Sequence, residues 1–148
     1  MAVNNGGPIQ AVDAMDAVNE FFTRLSRDCA NVDFDSTEPM FAEDVYAFGT
    51  KSTVVQGRAP LRRNQWEGIW PNIADFNIDM SQVHGSGDGD LAWGMAPWTS
   101  TGFDESGEPY ERPGRATVVL ARRGEHWEAI HTHISLAPGT PQRTFGRK

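Results

Sequence analysis

The chain has 148 residues, a formal net charge of −7, 39% hydrophobic and 22% charged residues, the profile of one globular domain that buries roughly 68–70% of its unfolded surface. The acidic balance argues against nucleic acid or an anionic membrane as partner, because both attract basic patches. A single cysteine, Cys29, leaves no intramolecular disulfide, and together with the absence of a signal-like start or an apolar run near ~18 residues it points to a cytoplasmic setting.

Residues 1–8 open with "MAVNNGG", a Gly-rich stretch expected to fray. Val12, Met15, Val18, Phe22, Leu25 and Cys29 then recur at three- and four-residue spacing, which predicts an amphipathic helix over about residues 9–29. Ser36 or Thr37 is placed to cap a short second helix ending near Phe41. "DVYAFG" and "STVVQG" read as two short strands. "RAPLRRNQWEGIW" reads as a helix stopped by Pro71. "DFNIDMSQVHG" alternates as a strand, with a bulge allowed for. "LAWGMAPWTSTGF" reads as a long strand, with Pro97 marking an edge or bulge. "DESGEPYERPG" is a loop, and "RATVVLARRGEHWEAIHTHISL" a hairpin turning at "RRGEH". Residues 139–148 form a tail. Helices come first and strands follow, which is the order of an α+β fold.

The segments "FAEDVYAFGT", "GRAPLRRNQW" and "GRATVVLARRGEHWEAIHTHIS" resemble the SnoaL-like branch of the nuclear transport factor 2-like superfamily. Trp127, His131, His133, Ser135, Ala137 and Pro138 are similar to the W-x3-H-x-H-x-S-x-A-P ending of the calcium/calmodulin-dependent protein kinase type II association domain. The resemblance spans residues 9–138 in element order and is motif-specific only near the end. It implies a cone-shaped α+β barrel, a curved antiparallel sheet wrapped around N-terminal helices. It further implies a homodimer through the outer sheet face, and a cavity inside the cone. Relatives use that cavity for isomerase, cyclase or (de)hydratase chemistry without a cofactor, or for binding alone.

The resemblance puts the carboxylate base of ketosteroid isomerisation near Gly49 or Thr50, and the tyrosine position of the first helix near Phe21. Neither residue type is kept, so that machinery is absent in its known form. The association domain's anion-binding arginines fall near Trp98, Val118 and Ile134, an apolar set. Arg115 lies close to one of these positions and reads as a solvated charge. Candidate acid/base groups are Asp44, His84, His131 and His133, with Asp79 a weaker one. Candidate cavity residues are Tyr46, Trp66, Trp98, Val118, Thr132 and Ile134, a set suited to a hydrophobic organic ligand.

His131 and His133 share one strand face, roughly 6.5–7 Å apart along the backbone. That is half of a zinc site, which takes at least three protein ligands, so no metal is expected. If Ile134 faces the cone, strict alternation turns His131, His133 and Trp127 outward together. A bulge or a one-residue slip would reverse that. Two readings therefore stand side by side. One is a cofactor-free acid/base enzyme acting on a hydrophobic substrate. The other is a non-catalytic oligomeric module that binds a ligand.

Overall fold

A computed structural model describes residues 6–147. The first helix, α1, spans Ala14–Asn31. It starts later than the spacing implies because Asp13 caps it, its side chain accepting from the Asp16 N–H at 2.8 Å. Upstream, Ile9 is fully buried and pairs with Trp127 as an isolated β-bridge. Of the stretch expected to fray, residues 1–5 lie outside the described residues, and order has set in by Ile9. Val32 ends α1 in the left-handed region with φ 54°, where the cap N–H can close back on the last turn.

The next helix, α2, covers Phe34–Thr37 and is capped by Asp33, not by Ser36 or Thr37. Those two residues lie within it, and Thr37 donates its hydroxyl to Asp28 at 2.8 Å, which ties α2 to α1. Strand β1 (Phe41–Phe48) and β2 (Val54–Gln56) form an antiparallel pair. A composite helix, α3, begins at Arg58–Leu61 and widens into a π-helical stretch over Arg62–Trp66. It resumes at Glu67–Ile69 and tightens through Trp70–Asn72.

The remaining strands are β3 (Ala74–Ile78), β4 (His84–Asp88), β5 (Leu91–Phe103), β6 (Pro109–Glu111), β7 (Gly114–Arg123) and β8 (His126–Leu136). The segment expected as one bulged strand is thus two, separated by a turn at Met80–Gln82. The turn forms because Asp79 accepts from Ser81 and Gln82. The loop expected before the last hairpin contains β6, which pairs with β5.

The strands make one curved, unclosed sheet in the order β2-β1-β8-β7-β5-β3, with β4 and β6 also paired to β5. Its pairs are antiparallel except β1 with β8, which run parallel. Helix α1 lies inside the curve, with Val18, Phe21, Phe22 and Leu25 buried. Each such side chain contributes about 1.5–3 kcal/mol. The helix comes this close because β5 presents Gly94 beneath it. A Cβ there would collide with Val18.

One irregularity decides which way β8 faces. Val119 pairs with His131, but the next residue, Leu120, pairs with Ala129. Ile130 is therefore an extra residue, a β-bulge, and it inverts the alternation. Trp127 and Ala129 are buried before it, and Thr132 after it, while His133 is exposed. Strict alternation put Trp127 on the same face as the histidines. The bulge separates them: Trp127 is in the core, its indole N–H donating to the Ala11 carbonyl at 3.2 Å, and His131 and His133 are on the outer face.

Candidate ligand cavity

Inside the cone a cavity of about 50 Å³ lies between α1, the end of β1, α3 and the sheet. At about 10–15 Å³ each, that is room for roughly three to five waters. Helix α1 contributes Phe21, Leu25 and Cys29. The turn after β1 contributes Gly49 and Thr50. Helix α3 contributes Gln65, Trp66, Ile69 and Trp70, and the sheet contributes Phe76, Trp98, Arg112, Thr132 and Ile134. The π-helical stretch buries two consecutive residues, Gln65 and Trp66. A regular helix would turn neighbours about 100° apart, and such widened turns recur at functional sites.

The walls are aromatic. Trp66 stacks on Trp70 with ring centroids 5.5 Å apart and meets Phe41 edge-on at 4.9 Å. Phe76 packs against Trp98 at 5.3 Å. Gly114 is what lets the Trp98 indole lie where it does, since a Cβ there would strike the indole and the Ser135 carbonyl. Among the described residues no Asp, Glu or His lines the cavity.

Two lining groups titrate, Cys29 and Arg112. Burial pushes the Cys29 thiol well above its ordinary value, an effect larger than the opposing pull of Arg112. The thiol stays protonated and unreactive. Arg112 is 2% exposed, and burial lowers its pKa from the ordinary arginine value, with Tyr110 and Cys29 acting the other way. Its backbone is anchored to Ser100, whose carbonyl accepts the Arg112 N–H at 2.9 Å and whose hydroxyl donates to the Arg112 carbonyl at 2.7 Å. Its Nη2 donates to the Thr50 hydroxyl at 3.2 Å, and the same hydroxyl accepts from Gln65 at 2.9 Å. The guanidinium carbon is 5.6 Å from the Trp98 ring centroid, within cation–π range. Among the described residues, Arg112 Nε and Trp98 Nε1 are buried without a hydrogen-bond partner, as is Arg24 Nε elsewhere in the core.

Of the residues expected to line the cavity, Trp66, Trp98, Thr132 and Ile134 do so. Val118 faces the same side but is fully buried in the core, away from the cavity wall. Tyr46 lies on the opposite face of β1, 51% exposed. The acid/base candidates stand outside as well. Asp44 and His84 are exposed, and His131 and His133 are on the outer face. Asp79 is occupied as a turn cap, and its hydrogen bonds to Ser81 and Gln82 hold its carboxyl below the usual range. Arg115 is on the outside too, with Nε donating to Ser135 at 3.0 Å. Among the described residues no group of three or more His, Cys, Asp or Glu could hold a metal ion. Arg112 and Gln65 are the polar cavity-lining side chains that sequence reasoning missed. An arginine between Pro109 and Pro113 reads as a loop charge, and nothing in the local pattern turns it inward.

The outer face is a continuous row of large side chains. Phe48, His133, Thr117 and Met95 lie in register across β1, β8, β7 and β5, and beside them Tyr46, His131, Val119 and Trp93. His131 Nδ1 is 2.8 Å from the Tyr46 carbonyl, and both imidazoles meet Phe48 edge-on, at 5.8 and 5.0 Å. Residues after the last strand run back over the cone: Gln142 donates to the Thr50 carbonyl, and Thr144 to the Asn72 carbonyl at 2.8 Å.

The model of the SnoaL-like domain matches residues 18–139. The chain belongs to the SnoaL-like family. Solved structures extend the likeness to the nuclear transport factor 2-like fold. A candidate dehydratase of that family from Streptomyces avermitilis is 20% identical, over 84% of this SnoaL-like chain and 97% of its own, with a TM-score of 0.70. A candidate calcium/calmodulin-dependent protein kinase II association domain from Xanthomonas campestris is also 20% identical, over 95% and 99%, with a TM-score of 0.70. A candidate aromatic ring hydroxylase from Novosphingobium aromaticivorans is 16% identical, over 84% and 89%, with a TM-score of 0.64. At these identities the likeness is one of fold. No curated protein matches this SnoaL-like sequence. Among the described residues no helix is long and apolar enough to cross a membrane.

Proposed function

We propose that this SnoaL-like protein is a small-molecule-binding module whose ligand occupies the cone. One observation carries the reading: the cavity has aromatic and aliphatic walls and no Asp, Glu or His. Acid/base catalysis needs a titratable group within hydrogen-bond reach of the substrate, tuned near the working pH. Cys29 is held protonated and Arg112 cannot act as a base. The isomerase, cyclase or (de)hydratase reading therefore lacks its proton-transfer groups in this cavity, and the binding reading needs none. The test is native mass spectrometry of the purified protein, with tryptophan fluorescence during titration of small ring compounds. Retained or saturable ligand supports the reading; turnover of a bound compound with no change in other conditions overturns it.

The second element of the proposal is a homodimer through the outer sheet face, with His131 and His133 at its centre. Tyr46, Phe48, Leu91, Trp93 and Met95 are each 40% or more exposed on that side, and exposed apolar patches of this kind mark interaction surfaces. Light scattering that reports a monomer at micromolar concentration would sink it. A reducing, cytoplasmic location is proposed from the single, buried Cys29.

A further inference from the structure

His131 and His133 flank Thr132 on β8, after the Ile130 bulge. They share the outer face, while Thr132 lines the cone. Residues two apart on a strand stand roughly 6.5–7 Å from one another, so two imidazoles can reach one ion. Neighbours fix both rings. Phe48 on β1 meets each of them edge-on, with centroids at 5.8 and 5.0 Å. His131 Nδ1 lies 2.8 Å from the Tyr46 carbonyl. A carbonyl only accepts, so Nδ1 carries the hydrogen, and in the neutral ring Nε2 keeps its lone pair. A metal-ligating histidine is held in the same way, its second ring nitrogen donating to a backbone carbonyl or a carboxylate.

Two imidazoles are half of a site, since zinc takes at least three protein ligands. Among the described residues no group of three or more His, Cys, Asp or Glu could hold a metal ion within one chain. A two-fold axis changes that count, because an isologous interface presents every residue twice. The outer face says where such an axis lies. Its exposed large side chains are Tyr46 and Phe48 on β1, and Leu91, Trp93 and Met95 on β5. Strands β8 and β7 run between them. A self-complementary contact covering this patch is centred on β8 and β7, which sets each histidine pair beside its copy. Thr117 and Val119, the cross-strand partners of the histidines on β7, are short and let a facing chain come close.

Building on the reading of the outer face as a homodimer interface, we infer that His131 and His133, with the same two residues of a second copy, bind one divalent transition-metal ion on the two-fold axis. The four ligands are all imidazole nitrogens. That donor set suits zinc, copper or nickel, whereas magnesium and calcium take oxygen. The ion lies on the opposite side of the sheet from the cavity, so it ties two chains together and takes no part in the cone.

The experiment strips the full chain with a chelator, removes the chelator, and measures zinc uptake by calorimetry and association by sedimentation. One zinc per two chains is expected, with a dimer dissociation constant at least tenfold lower in its presence. Magnesium is expected to do neither. Cobalt in place of zinc is expected to show the intense visible absorption of a tetrahedral ion. His131→Ala and, separately, His133→Ala are each expected to abolish both zinc effects, and thermal melts without metal report whether they fold. Zinc bound at one ion per chain with no change in association overturns the inference. So does a zinc effect that survives either substitution, or a weakly absorbing octahedral cobalt complex. A dimer that dissociates on combining Trp93→Ser with Met95→Ser, yet takes up no zinc, overturns the inference and leaves the interface standing. A chain that is monomeric at micromolar concentration with and without zinc overturns both.

Discussion

Along β5 the inward positions are Ala92, Gly94, Ala96 and Trp98, and the outward ones are Leu91, Trp93 and Met95. The inner side is small where α1 must lie against it and large only at Trp98, where the helix has passed and the cavity begins. On the outer side the bulky residues are the exposed ones, 45–53% accessible. Size on the inner face is thus set by what packs there. Outside, the large side chains stay half open to water, a pattern that makes sense for a surface with a partner. β8 carries both programmes in one strand, and the single extra residue Ile130 switches between them.

The sharpest way to break this contrast is to remove the switch. Deleting Ile130 forces β8 into one alternation, so either Trp127 leaves the core or His131 and His133 enter it. Expelling a buried Trp alone costs about 3–5 kcal/mol. The expected outcome is loss of cooperative unfolding in a urea titration, and a variant that melts like the parent would refute the role given to the bulge.

Next in size is Gly114→Ala on the inner face. The new methyl meets the Trp98 indole and a backbone carbonyl on β8 that cannot rotate away. A loss of about 1–3 kcal/mol is expected from chemical denaturation, together with a changed fluorescence environment for Trp98. An unchanged midpoint would mean the indole has room to move.

Arg112→Met is expected to act in the opposite direction. It removes a buried charge that has no counter-ion and keeps a side chain of similar length. Ligand-free stability should rise by about 1–2 kcal/mol, since apolar replacement of buried charge is often stabilising. A fall of that size in a thermal melt would show that the Thr50 hydrogen bond outweighs desolvation.

The smallest folding effect is expected outside. Trp93→Ser combined with Met95→Ser should change the stability of the monomer by only about 0.5 kcal/mol, as surface substitutions do. The same pair should shift a dimer toward monomer in analytical ultracentrifugation. A large folding loss with no change in association would place these residues in the core economy instead of an interface.

The β7–β8 hairpin and the long strand β5 were legible in sequence because alternation of side chains is a local property of an extended chain. The α+β class followed from the order of the elements, and Trp66, Trp98, Thr132 and Ile134 reach the cavity from those same patterns. Three things were not legible. Ile9, expected in the first helix, pairs instead with Trp127, a partner more than a hundred positions away. The parallel pairing of β1 with β8 joins the first strand to the last. Tyr46 was expected inside, yet it faces out because Val45 and Ala47 on either side of it take the inward positions, and it pairs with His131 on the outer face.

The sequence by itself determined most of the elements, the class and the family, since these rest on periodicity and short motifs that do not depend on distant partners. Tertiary structure alone decided the chemistry of the cone. Ile130 became a bulge only when two registers had to be met on one strand, which sent His131 and His133 outward. Arg112 became a cavity residue only because β6 and its turn fold back on Ser100, which carries a side chain that reads as solvated into a place with no counter-ion. Burial and pairing are properties of the assembled fold, and for a titratable group they decide what it can do.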